Sequence, residues 1–263
     1  MFNILTSTAK EELMKTATTI DEVIAILDDI ISTSEKNQDP LGYFAVLYRK
    51  VTLKVKEGIA EGFFDDGKRM ETFDVVFTNR YISAYRGYQQ QEAITLSWQR
   101  AFILSKKYWP IVLQHLLIGM NAHISLDLGI AAAQIMKGKN IHDLKGDFDK
   151  INTVLSSLVN DVQQDLADIW PTLRKILQWT KKADDFLIDF SMNLARDGAW
   201  KFATALEGKD STETQHLIQQ RDTKVAEKAT IIINPGVIAR LIFGIIRLGE
   251  RGTISEKIEK LEK

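Results

Sequence analysis

Cysteine is absent from the 263-residue chain, and proline occurs only four times. Without cysteine there can be no disulfide, thiolate nucleophile, iron–sulfur cluster or cysteine zinc site. Any metal must therefore be held by imidazole, oxygen ligands and water. Four prolines are about 1.5% of the chain, against roughly 5% in ordinary proteins, and the 15 glycines are no enrichment. So few breakers, with 45% apolar residues, favour long helices over a strand-and-turn protein. An excess of charge of one sign is also lacking. Lys+Arg number 34 and Asp+Glu 35, a formal net charge of -1. That balance gives no electrostatic reason to expect nucleic acid or an anionic membrane as the main partner. The N-terminal MFNILTSTAKEELMK lacks a basic segment followed by an apolar one, so no secretory signal is expected. No apolar run reaches the roughly 18 residues that suggest a membrane span. The nearest approach is Val237 to Ile246, interrupted by Arg240 and closed by Arg247. The expected compartment is the cytoplasm.

What is present is helical periodicity. Thr19 and the acidic pair Asp21-Glu22 open a helix carrying Val23, Ile24, Ile26, Leu27, Ile30 and Ile31, and Ser32 to Asp39 reads as a polar loop. Asp39-Pro40 starts a second helix, reaching about Glu61. After the turn GFFDDG, a third is expected from Arg69 to about Tyr88, with Asp65 or Asp66 as its cap. Further helices follow over about Ala93–Lys106, Trp109–Met136 and from Asp143, the last broken or kinked at Trp170-Pro171 before a continuation to about Lys181. Others run from Asp184 to Leu206, Ser211 to Ala229, Pro235 to Leu248 and Ser255 to Lys263. No segment sustains a period of two. The expectation is an all-α fold, a single bundle-like domain over residues 1–263 with about ten helices around one long buried helix.

That helix is IVLQHLLIGMNAHISLDLGIAAAQIM, Ile111 to Met136. At about 100° per residue, His115, Gly119, His123 and Asp127 stand at about 0°, 40°, 80° and 120°, a slowly drifting stripe. Nearly everything around them is apolar and small, so the polar residues must be paired. Gly119 permits close approach of another group. Asn121 faces away from His123 on a regular helix and reads as an interhelical cross-link. His123 and Asp127, with His115, present imidazole and carboxylate four residues apart, a set suited to a divalent metal such as Zn, Fe or Mn or to acid–base catalysis. Glu71 and Asp74, three apart on the Arg69 helix, are carboxylates able to join them. The alternative is a buried network, in which Asp127 accepts the ring N–H of His123 and fixes helix register. Asp147-Phe-Asp149-Lys-Ile-Asn152 is a third polar cluster, with Asn152 expected to hydrogen-bond inside the bundle. His142 and His216 read as surface residues.

The stretch His115-Leu-Leu-Ile-Gly-Met-Asn-Ala-His-Ile-Ser-Leu-Asp-Leu-Gly-Ile-Ala-Ala-Ala133 resembles an uncharacterised family of bacterial all-helical proteins. GFFDDGKRMETFDVVFTNRY (Gly62 to Tyr81), DFDKINTVLSSLV (Asp147 to Val159) and ARDGAWKFATA (Ala195 to Ala205) support it. Together they span about Tyr43 to Leu206. The resemblance implies a fold and membership but carries no reaction. Two functional expectations follow from the residues. The first is an enzyme, hydrolase-like, with His123 and Asp127 as catalytic or metal-binding groups. His115, Glu71 and Asp74 would be further ligands, and the substrate a small, partly apolar molecule. The second is a non-enzymatic module binding an apolar ligand, a partner helix or, through the apolar helix 235–248, a membrane surface.

Overall fold

A computed structural model describes residues 16–170 and 192–263 of the chain. Eleven α-helices and no strand occur among the described residues. They are α1 (Ile20–Asn37), α2 (Leu41–Ala60), α3 (Gly67–Gln90), α4 (Leu96–Leu104), α5 (Val112–Ala122), α6 (Leu128–Ile135), α7 (Lys145–Ile169), α8 (Met192–Leu206), α9 (Ser211–Ile233), α10 (Val237–Gly249) and α11 (Ile254–Glu262). The expected continuation past Pro171, and the helix start at Asp184, lie outside the described residues.

Local chemistry accounts for several helix starts. The Thr19 side chain accepts from Glu22 N, and Asp66 accepts from Arg69 N. Capping boxes open α9 (Asp210 and Glu213) and α11 (Thr253 and Glu256). Asp39 accepts from Leu41 N beside Pro40. The predicted loop after Ile31 is instead helix: α1 continues to Asn37 and ends at Gln38 in the left-handed region. The reason is tertiary. Ser34 is buried against Gly42 of α2, where a Cβ would lie 2.7 Å from Ser34 Cβ and 2.6 Å from Ile258 Cδ1. The polar composition of that stretch concealed a packed contact.

The expected single helix from Ile111 to Met136 is divided. α5 and α6 are joined by a π turn, His123–Asp127, in which Leu128 N–H bonds to the carbonyl of His123, five residues back. This composite helix is the centre of the molecule: α2, α3, α4, α8 and α9 all pack against it. Over Val112–Ile135 it is long and apolar enough to cross a membrane, which corrects the expectation that residues 237–246 come nearest to a span. Its most apolar window is, however, 89% buried inside the protein, so its partners here are other helices rather than lipid. Gly119 takes the ring of Phe44, whose Cδ2 would lie 2.5 Å from an added Cβ. Gly129 sits under the Ala199 carbonyl of α8, 2.7 Å from where its Cβ would be. As expected, Asn121 faces another helix, donating Nδ2 to the Val225 carbonyl of α9 at 3.0 Å.

Candidate functional site

Asp127 ends the π turn and is 1% exposed. Three donors from three parts of the chain converge on it. His123 Nδ1 lies 3.2 Å from Oδ2, Trp98 Nε1 of α4 donates to Oδ2 at 2.7 Å, and Arg80 Nε of α3 donates to Oδ1 at 2.7 Å. Burial pushes the Asp127 carboxyl up, but Arg80, the His123 hydrogen bond and Trp98 outweigh it and hold the group below its ordinary value. The carboxylate is therefore ionised. Burial pushes the His123 imidazole down, against the pull of Asp127. A neutral ring facing an ionised acceptor carries its proton on Nδ1, which leaves Nε2 with a free lone pair. Nε2 is buried and has no hydrogen-bond partner among the described residues.

The His123 ring is enclosed by aromatics. It stacks on Phe77 at 3.6 Å between centroids with planes 5° apart, and meets Tyr48 edge-on at 4.5 Å. Phe44, Tyr81 and Trp98 complete the cage. The turn that carries this pair is itself tied down from outside, because Arg221 of α9 donates Nε to the Ser125 carbonyl at 2.8 Å. Widened turns of this kind are frequent at functional sites.

Over the Arg80–Asp127–Trp98 group opens a cleft of about 940 Å³. Its walls come from α3 (Asn79, Ser83), the Ala93–Thr95 segment, Gln134 of α6 and α9 (Gln215, Gln219, Asp222). Two of its polar residues are already engaged. Asp222 caps α4 by accepting from Leu96 N and Ser97 N, and Asn79 pairs with both backbone groups of Ala17. Arg80 differs. Beyond the Nε bond to Asp127, its terminal N–H groups have no hydrogen-bond partner among the described residues, and it is the only cation lining the cleft there. The side chain is 26% exposed.

The structure thus brings together His123 and Asp127 but not the other candidates. His115 stands two turns away against Tyr43, where burial and then Arg247 and Lys257 push its pKa down to about 3. Glu71 accepts from Ile20 N at 3.5 Å, at the start of α1. Asp74 is buried beneath Thr78, which donates to its carbonyl and meets the Tyr48 hydroxyl. Its Oδ2 has no partner among the described residues, and burial pushes its pKa up to about 7. Among the described residues no group of three or more His, Asp or Glu side chains is placed to hold a metal.

The sequence alone does not single out Arg80 and Trp98, the groups that fix Asp127. A signal existed for each. Arg80 borders the Phe73–Phe77–Ala84 arc of α3, and a tryptophan on an apolar helix needs a partner for its N–H once buried. The Asp147 cluster has a structural role: fully buried Asp147 accepts from Asp65 N, Asp66 N and Arg69 Nη2, and so anchors the start of α3. Asp66 is the expected cap, while Asp65 pairs with Lys150. Asn152, expected to hydrogen-bond within the bundle, has its Oδ1 buried without a partner among the described residues. His142 and His216 are exposed, as expected.

No curated protein and no solved structure matches the chain. Residues 20–235, a longer span than the Tyr43 to Leu206 region that carried the resemblance, match DUF5995, described as a family of unknown function, and the chain belongs to that family.

Proposed function

We propose that the protein binds a small polar molecule in the cleft above Arg80 and Asp127. The observation that carries this reading is the state of the Arg80 guanidinium. Its Nε is fixed by a buried ionised carboxylate, its charge is thereby balanced, and its terminal N–H groups have no acceptor among the described residues at a cleft of ligand size. Such a group recognises a carboxylate, carbonyl or other acceptor oxygen, and the amides of Gln134, Gln215 and Gln219 supply both donors and acceptors around it. Asp127, Trp98 and His123 then serve as positioning residues, holding Arg80 in one orientation. Ligand-detected NMR against pooled small carboxylates and polyols tests the reading. Wild type should give saturation transfer to at least one class. Ser83→Trp, an exposed change that fills the cleft, and Arg80→Gln should abolish it. Folded wild type that binds nothing, or a Ser83→Trp variant that binds as wild type does, refutes it.

A second reading rests on the unpartnered His123 Nε2. A neutral imidazole oriented by an ionised carboxylate is the arrangement of a general base or of a metal-ligating histidine. In this version Nε2 takes a proton from the cleft ligand or from water, or binds Zn, Fe or Mn, once Phe77 and Trp98 give way. The ¹⁵N shift of His123 Nε2, followed during titration with Zn²⁺ and with any ligand found above, discriminates. A Nε2 signal unmoved by either leaves His123 as a positioning residue only.

A further inference from the structure

Helix α10 is apolar on two opposite faces. Phe243 and Ile246 are buried in the main core, with Ile242 packed beside them. On the other side Val237, Leu241, Ile245 and Leu248, spaced by four, four and three residues, share one arc, and their exposures run from 53% to 83%. A helix built this way has one partner inside the molecule and a second surface with none among the described residues. The Tyr108-Trp109 loop lies beside this helix. Arg247 clamps that loop against α10, donating Nε to the Tyr108 carbonyl at 2.7 Å and lying 4.8 Å over the Tyr108 ring. Tyr108 and Trp109 are themselves 70% and 61% exposed. Six large apolar side chains exposed together are more than the scattered surface apolar residues of ordinary proteins.

Charge decides what fits there. The chain has a net charge of only -1, but the two segments that supply this face are short of acids. From Ala93 to Leu126, and again from Lys228 to Gly249, there is no Asp or Glu, while Arg100, Lys106, Lys107, Lys228, Arg240 and Arg247 are basic. Lys106, Lys107 and Arg240 are exposed. The side chain of the acid that follows, Glu250, is only 4% exposed and engaged by Lys257, Arg247 and Val112 N. We propose that this face docks on a lipid surface bearing anionic headgroups. The Val237–Leu248 stripe enters the acyl boundary, Tyr108 and Trp109 rest at headgroup level, and the basic residues meet lipid phosphates. A second copy of the chain is the poorer occupant, since a two-fold contact through this patch sets like charges against each other.

Co-sedimentation of the full chain with phosphatidylcholine vesicles, with and without about a third phosphatidylglycerol, tests the proposal. The bound fraction is expected to rise at least about tenfold with the anionic lipid and to fall at high salt. Leu241→Glu with Leu248→Glu should abolish binding while the helical circular dichroism and Tm stay unchanged, because both side chains are exposed. Lys106→Gln with Lys107→Gln should remove the preference for anionic vesicles. Three results overturn the proposal: no binding by the folded chain, equal binding to neutral vesicles, or a dimer in light scattering that the Leu241→Glu, Leu248→Glu variant dissolves without any vesicle binding. The last would assign the face to contact between copies.

Discussion

Trp98 donates its indole N–H to Asp127 at 2.7 Å, on the same carboxylate oxygen that faces His123 Nδ1. An α4 side chain thus fixes the π turn of the central helix, while Arg80 takes the other oxygen from α3. Three elements are locked through one buried charge.

Asp127→Asn removes the charge that Arg80 balances and is expected to cost about 3 kcal/mol in urea denaturation, within the range for breaking a buried ion pair. His123→Leu combined with Asp127→Leu should cost less than Asp127→Leu alone, since Arg80 is partly exposed and can be rehydrated once the His123 donor is gone. A double variant less stable than either single one contradicts this account.

Asp74 should make stability fall as pH rises. Its folded pKa is about 7, against an ordinary 3.8, so the native state holds a proton that the unfolded chain loses above about pH 4. Stability from this group is present below pH 4 and is lost progressively up to pH 7. Asp74→Asn is therefore expected to stabilise by roughly 1–4 kcal/mol at pH 8 and to change little at pH 4. Paired urea titrations at those two values measure it.

His115 should act in the opposite sense. Its folded pKa is about 3, so below the ordinary 6.5 the unfolded chain gains a proton that the native state refuses. Its contribution is constant above pH 6.5 and is lost as pH falls from 6.5 towards 3. His115→Leu, in an apolar setting against Tyr43, should flatten the acid limb of the stability profile; an unchanged limb would assign that loss to other groups.

Gly119→Ala is expected to destabilise by about 1–3 kcal/mol despite alanine's better helix propensity. Its methyl would lie 2.5 Å from the buried Phe44 ring, which itself packs against the His123 cage. Thermal unfolding checks the loss. Restoration by Phe44→Leu in the same chain would show that the steric contact causes it.

Asp147→Asn should cost about 2–4 kcal/mol, because the fully buried carboxylate holds two backbone N–H groups ahead of α3 and pairs with Arg69. Hydrogen exchange should speed at Asp65 and Asp66 in particular. Uniform exchange across α3 instead would indicate loss of the whole helix.

Much of this was legible without the fold. Few prolines, 3–4 spacing and capping residues such as Thr19, Asp66 and Asp210 set the helices, because these are interactions over three or four residues that any copy of the sequence would form. The same locality identified His123 and Asp127 as neighbours. Whether other elements complete a site was beyond it. Arg80 and Trp98 join Asp127 from 47 and 29 residues away, whereas His115, on the same helix, is drawn into a different polar group near Arg247 and Lys257. The π turn was equally hidden. One extra residue in a turn rotates everything after it by about 100°, and nothing in a regular 3.6 period announces it. The sequence by itself determined most of the helices and which polar groups called for partners. Tertiary structure alone decided with whom, because a buried charge is stabilised by whichever donors the packing of distant helices delivers to it.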